Sequence, residues 1–255
     1  MPCLRLPTTG FTTRTERRGF HGSDYGQFCY NPMQALKSVP IPNYERSRAE
    51  LRHMGIEFPQ RDKEFQPLME YLGALHPGNL VEIGTREGGS LFMLSRVLPP
   101  NSTIISVDLP GLRWGRANSG ERKRKIADRL RRDGFTVHLV ERDSAQPETA
   151  AEVSNLLGGV PIELLFLDGD HTLKGVTADF LNYQPLVKSG APIIFHDIVE
   201  SARTPDVQVH LLWRVLKAYL PHIELVEKEI GFGIGVALNA KLPLDAEITR
   251  GRKSL

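Results

Sequence analysis

Two cysteines, Cys3 and Cys29, are all that 255 residues contain. Neither stands at a metal-ligand spacing, which excludes a disulfide frame and a thiolate metal centre and points to a reducing compartment. No apolar run approaches the ~18 residues that a membrane span needs, and the N-terminal residues include no apolar signal segment, so the cytoplasm is the expected location. Excess charge is also missing. A net charge of +2 with 24 % charged residues describes an ordinary surface, without a global field that would draw nucleic acid or a membrane. The length suits one sizeable α/β domain with additions.

What the chain does have is a glycine turn: Val81 to Ser90 reads V-E-I-G-T-R-E-G-G-S. The apolar run Asn79 to Ile83 before it is too short for a helix and suits a buried parallel strand. After it, Leu91, Leu94, Val97 and Leu98 recur at helical spacing. Gly84, Gly88 and Gly89 let backbone approach a ligand where a Cβ would collide. Strand, turn and helix N-terminus together predict a nucleotide pocket at the carboxyl edge of a parallel sheet. A dinucleotide fingerprint wants glycine at the third position, where Arg86 stands. Glu82, two residues before the first glycine, and the Gly88-Gly89 doublet point instead to a loop for S-adenosylmethionine. The alternative is a purely structural strand-to-helix turn.

Residues 1–60 read as an N-terminal arm and cap. Phe20, Tyr25, Phe28 and Tyr30 predict that part of it docks as a strap, with a lid or a subunit-exchange arm as alternatives. A short polar helix is expected from Tyr44 to Met54. Asp62 is expected to cap a helix running to about Leu75, with Phe65, Leu68, Met69 and Leu72 facing inward. Thr103 to Asp108 reads as a second strand whose terminal acid is placed to accept from both hydroxyls of a ribose, unless it only caps a turn.

The basic segment Leu112 to Arg132 reads as a solvated helix face, or else as an attractor of anions. Phe135 to Val140 is a third strand. Asp143 and Ser144 follow it, beside an adenine, with Asp143 able to accept from the exocyclic amine. A helix from Pro147 to Leu157 leads to a central strand, Ile162 to Asp168. The next helix buries Val176, Phe180 and Tyr183 and breaks at Pro185. Ala191 to Phe195 is a fifth strand, ending at His196-Asp197. A helix from about Val207 to Tyr219 is expected to bury Leu211, Leu212, Val215 and Leu216, and a hairpin joined at Gly231 closes the order. The fold class is therefore α/β: a Rossmann-like, doubly wound sheet of seven strands, the last antiparallel, with helices on both faces. It should occupy residues 61–240, followed by a loose tail at 241–255.

Asp168 and Asp197 end neighbouring strands and so reach one crevice. Two carboxylates there can hold a hard cation, which would bind a substrate hydroxyl and lower its pKa. His171 overhangs the same crevice and is the natural acceptor for the hydroxyl proton. Methyl transfer then requires oxygen, methyl carbon and sulfonium in line. Helix capping by the same residues is the plainer alternative, in which Asp170 or Thr172 serves only that purpose. His196 is either a third ligand or a hydrogen-bonded structural residue, and imidazole suits transition metals better than magnesium.

E-I-G-T-R-E-G-G-S at 82–90, F-L-D-G-D-H-T at 166–172 and F-H-D-I at 195–198 together resemble the class I S-adenosylmethionine methyltransferases of the cephalosporin-hydroxylase-like group. That group is similar to the metal-dependent O-methyltransferases of sugars and other natural products. The resemblance covers roughly Gln60 to Leu238. It implies S-adenosylmethionine as cofactor, bound by Glu82, Gly84, Thr85, Gly88 and Ser90, by Asp108 at the ribose, by Asp143 and Ser144 at the adenine, and by Asp168. It also implies a divalent metal, magnesium by analogy, on Asp168, His196 and Asp197, with His171 as base. One departure stands out: magnesium-dependent relatives usually carry an acid where His196 stands. The implied partner is a small-molecule hydroxyl acceptor, with no nucleic acid or membrane, and a homo-oligomer is left open. A metal-free methyltransferase or hydroxylase-like relative, and a non-catalytic cofactor-binding scaffold, are the alternatives.

Overall fold

A computed structural model describes residues 44–109, 119–227 and 232–240. The arm aromatics from Phe20 to Tyr30, both cysteines, Arg113, Arg116, Gly231 and the tail at 241–255 lie outside the described residues. Helix α1 (Tyr44–His53) and helix α2 (Asp62–Leu75) precede strand β1 (Asn79–Ile83). Four strand-helix units follow in order: α3 (Gly89–Leu94) and β2 (Thr103–Val107), α4 (Ser119–Arg132) and β3 (Thr136–Val140), α5 (Pro147–Leu156) and β4 (Leu165–Leu167), α6 (Leu173–Tyr183) and β5 (Pro192–His196). Helix α7 (Val209–Leu216) leads into the hairpin of β6 (His222–Leu225) and β7 (Ile234–Leu238).

The sheet order is β3-β2-β1-β4-β5-β7-β6. The pairings from β3 to β5 are parallel, and β7 runs antiparallel to both neighbours, as the sequence predicts. Because β1 leaves leftward to β2 while β4 returns on its right, the chain reverses direction between β1 and β4, which opens a crevice above their carboxyl ends.

Alternation along the strands sorts side chains onto two faces. Leu80, Ile104, Phe166 and Ile194 join a core with α1 to α4, in which Phe65, Leu68, Met69 and Leu72 of α2 are fully buried. Val81, Ile83, Ile105, Leu165 and Phe195 join the opposite core under α5, α6 and α7. Each such side chain contributes about 1.5–3 kcal/mol of hydrophobic stabilisation. By the same alternation Glu82 lies on the first face, with Leu80.

Some expectations shift. Asp62 does not cap α2: Arg61 holds that position without a side-chain bond, and the Asp62 carboxylate accepts instead from Tyr44 and Arg48, tying α1 to α2. Pro185 ends α6 in a separate turn, Gln184–Leu186, as its missing N–H requires. Helix α7 is shorter than expected and rotated. Its buried stripe is Val209, Trp213 and Leu216, while Val215 is 56 % exposed. Trp213 wins the inward position because Gly235 of β7 leaves room for its ring, 2.6 Å from where a Cβ would sit, and Glu224 accepts from its Nε1. Among the described residues no helix is long and apolar enough to cross a membrane.

Candidate active site

The glycine turn is stitched to the strands on both sides. Gly84 N–H donates to Val107 O of β2, and Asp168 N–H donates to Ile83 O of β1, both at 2.9 Å. A Cβ on Gly84, whose φ is +84°, would collide with the Asp168 carbonyl, so only glycine allows the first turn to abut the end of β4. Gly88 caps α3 at φ +91°, and a Cβ there would press on Ile126 of α4. Gly89 lies under the segment from Glu57 to Arg61, whose Glu57 carbonyl would meet any side chain at that position. This strap is pinned again where Glu57 N–H donates to Glu87 Oε2 at 3.0 Å and Arg86 pairs with the Glu57 carboxylate.

Beyond β4 and β5 four polar side chains converge. His171 sits with Nε2 3.2 Å from Asp168 Oδ1 and Nδ1 3.1 Å from Asp197 Oδ2. His196 Nδ1 lies 3.3 Å from Asp168 Oδ1 and 3.1 Å from Asp197 Oδ1. Thr172 caps α6 by accepting from Gly175 N–H, and Asp170 accepts from Thr172 N–H, so capping is done by these two neighbours and not by His171. Gln208 fixes the loop from the far side, donating its N–H to the His171 carbonyl and accepting from Leu173 N–H. Asp197 is buried and left-handed at φ +63°, a conformation costing a non-glycine residue about 1 kcal/mol or more.

Charge is balanced inside this cluster. Burial alone would raise the Asp168 pKa, but the positive charge of His196 and the hydrogen bond from His171 hold it well below the usual carboxylate range. Burial disfavours a charged His171, and the hydrogen bond and charge of Asp168 with the charge of Asp197 overturn that, leaving its pKa raised. Asp168, His171 and Asp197 each offer one ligand atom, all within 4.8 Å of one another, so the cluster has the dimensions of a cation site. His196, the third ligand expected from sequence, is not in that set.

Glu82 is different. It is fully buried, and the Ser90 and Thr85 hydroxyls stand beside its carboxylate without either completing a hydrogen bond of full geometry. Desolvation pushes its carboxyl up to about 8, offset in part by the Ser90 hydroxyl and reinforced by the negative charge of Asp168. Thr85 also accepts from the Ser106 hydroxyl at 2.7 Å.

At the end of β2, Asp108 is buried and already partnered through one carboxylate oxygen. Its Oδ2 accepts from Arg86 N–H and from Lys123 Nζ, both at 3.0 Å, and Lys123 is itself buried. Desolvation leaves the Asp108 pKa raised despite that ammonium. Lys123 belongs to the basic segment expected to form a solvated face. The described part of that segment does expose a face, at Arg124, Lys125, Arg131 and Arg132, while Arg122 pairs with Glu87 and Arg129 with Glu50. After β3, Asp143 closes its own turn, accepting from Ala145 N–H and Gln146 Nε2, while Ser144 O accepts from Asn182.

Two residues here carry no sequence signal. Lys123 is one of many basic residues on its helix. Gln60, in the strap, donates its Nε2 to Asp168 Oδ2 at 3.0 Å across 108 positions of sequence. Only the fold brings it there.

Residues 81–198 match the family described as a methyltransferase domain. Rhamnosyl O-methyltransferase of Mycobacterium bovis is 26 % identical over 149 residues, covering 57 % of this chain and 56 % of that one. An uncharacterised protein of Acanthamoeba polyphaga mimivirus is 31 % identical over 127 residues, covering 50 % and 54 %. The chain thus spans about half the length of these relatives. Among solved structures, an O-methyltransferase from Bacillus cereus in complex with SAH superposes with a TM-score of 0.54 at 18 % identity, over 81 % of this chain and 96 % of that one. The O-methyltransferase TomG of Streptomyces achromogenes, in complex with SAM, gives 0.52 at 17 % identity over 82 % and 95 %. At such identities the structures speak for the fold alone, and residues 81–198 are similar to the methyltransferase-domain family.

Proposed function

We infer that the protein transfers a methyl group from S-adenosylmethionine to a hydroxyl oxygen of a small molecule, with sugar hydroxyls as the leading acceptor class. The observation that carries this reading is the imidazole of His171 held between the carboxylates of Asp168 and Asp197, beside the glycine turn. The mycobacterial relatives, named as rhamnosyl O-methyltransferases, support the acceptor class, and the SAH and SAM complexes of the structural neighbours support the cofactor. Glu82 fits the cationic end of that cofactor, because a buried acid with hydroxyls beside it but no cationic partner among the described residues calls for a donor-rich, positive group. In this reading Gly84, Thr85, Gly88 and Ser90 surround the methionine end, Asp108 meets the ribose, Asp143 and Ser144 border the adenine, and Asp168 stands between cofactor and acceptor.

His171 takes the proton of the acceptor hydroxyl as the oxygen attacks the methyl carbon and the carbon–sulfur bond breaks. Asp168 and Asp197 fix the ring and stabilise the imidazolium that results, and one nitrogen must exchange its carboxylate for the hydroxyl first. The remaining contribution is alignment, with the entropy of encounter removed on binding. A divalent ion fits the dimensions of the cluster and would lower the pKa of the acceptor hydroxyl. Two carboxylates flanked by imidazoles make a mixed donor set that suits a transition ion better than the magnesium implied by the resemblance. A metal-independent route is the second reading, favoured by two imidazoles, His171 and His196, already standing beside both acids.

Calorimetry with S-adenosylmethionine, with added divalent ions and then with chelator, tests the cofactor and the metal. Product mass spectrometry over glycosides, phenols and hydroxy acids tests the acceptor. Cofactor heat with methylated glycosides is expected. The absence of cofactor heat would sink both enzymatic readings and leave the scaffold.

A further inference from the structure

Gln60 lies outside the stretch that matches the family, yet it ends beside Asp168 with a donor spent and an acceptor unspent. Its Nε2 is taken by Asp168 Oδ2, while its Oε1 is buried and has no hydrogen-bond partner among the described residues. The residue is 8 % exposed, so water does not readily compensate this oxygen. An amide oxygen left so costs about 1–3 kcal/mol, which a folded chain tolerates where a ligand supplies the donor.

The neighbourhood says what that donor is. Glu82, on the sheet face covered by α2 and α3, is also fully buried, with only the Ser90 and Thr85 hydroxyls beside its carboxylate and no cationic partner among the described residues, and its pKa responds to the charge of Asp168. Acceptors therefore outnumber donors around Glu82 and Gln60 Oε1, and among the described residues no ammonium or guanidinium is paired with either. The strap that carries Gln60 is meanwhile fixed by Glu57 to Glu87 and by its passage over Gly89, so the amide is presented by a braced segment. The complement of several acceptors beside an acid is a compact cation with several N–H groups.

The structure assigns to Gln60 the role of a cofactor-positioning residue, whose Oε1 accepts from the ammonium of the methionine arm of S-adenosylmethionine while its Nε2 steadies Asp168. This rests on the cofactor reading above and extends it to a residue that no motif marks. The strap thereby becomes the part of the chain that distinguishes a cofactor with an aminoacyl arm from a bare thioadenosine.

The test is calorimetry on the full chain, in chelator, with three probes: S-adenosylmethionine, S-adenosylhomocysteine and 5′-methylthioadenosine, which lacks the arm. Gln60→Met should weaken the first two about tenfold to a hundredfold, the scale of one hydrogen bond to a charged group, and leave the third within twofold. Gln60→Glu keeps an acceptor, loses the donor to Asp168, and should hold S-adenosylmethionine affinity within a few-fold of wild type. Equal losses for all three probes in Gln60→Met would mean a structural role and overturn the assignment, as would no loss at all. A loss in Gln60→Glu as large as in Gln60→Met would place the function in the Asp168 contact and overturn the acceptor role. If Gln60→Met does not melt cooperatively, Gln60→Asn, which withdraws the amide by one methylene, carries the same three-probe comparison. A wild-type chain that binds none of the probes removes the cofactor reading itself, a result distinct from every one above.

Discussion

Two corners of one crevice treat their buried acids in opposite ways. At the end of β2 the chain answers Asp108 from within, with the Arg86 amide and the Lys123 ammonium. At the end of β1 it leaves Glu82 without a countercharge among the described residues, with only the Ser90 and Thr85 hydroxyls beside it, and its pKa rises to about 8. The first corner is therefore part of the fold's own electrostatics, and a ligand reaching it must compete with an ion pair. The second carries a desolvation cost that a cationic ligand would relieve. Between them lie Asp168 and Asp197, answered by imidazoles that can give a proton up.

The largest expected effect breaks the middle of this comparison. His171→Ala should lower turnover by two to four orders of magnitude while cofactor affinity by calorimetry stays within a few-fold. Unchanged turnover would reassign His171 to bracing the loop held by Gln208. Next comes the answered corner. Asp108→Ala strands the buried Lys123 and should cost about 3–5 kcal/mol in urea denaturation, with Lys123→Met in the same chain recovering most of it. A cost below about 1 kcal/mol would show that the pair behaves like a surface one.

The corner without a countercharge is read by pH. Glu82 has an ordinary pKa of 4.5 unfolded and about 8 folded, so its burial costs nothing below pH 4.5, where both states are protonated. The cost grows as the unfolded state alone ionises, and levels off once pH passes about 8. Glu82→Gln should therefore match wild-type stability near pH 4.5 and gain on it by on the order of 1 kcal/mol per pH unit above that. A pH-independent difference would mean that the acid is not neutral in the fold. The smallest effect is a control: Thr172→Ala, which removes the α6 cap beside His171, should cost about 1 kcal/mol of stability.

How much of this was legible in the sequence follows from what each residue's position depends on. Asp168 and Asp197 were readable because each ends an apolar run, and strand ends in a parallel sheet share an edge. His171 followed from its short spacing to Asp168. The inward face of α2 was readable from its period. Lys123 was not, because helical period separates faces but does not say which of many lysines folds back onto an acid. The stripe of α7 was misplaced for a related reason: aliphatic spacing pointed to Val215, whereas the vacancy over Gly235 selected Trp213. Gln60 had no signal at all, since a glutamine before a helix acquires meaning only when the strap crosses the glycine turn.

The span from Gln60 to Asp168 also has a kinetic reading. The glycine turn is made early in the chain, but the groups facing it arrive only after β4 and β5 have been added on the far side of β1. No fragment ending before them contains a complete pocket, and contacts of such long reach slow the search for the native arrangement. A ligand seated there clamps strap, first strand and fourth strand at once, so its binding energy protects the whole sheet against unfolding rather than one local unit.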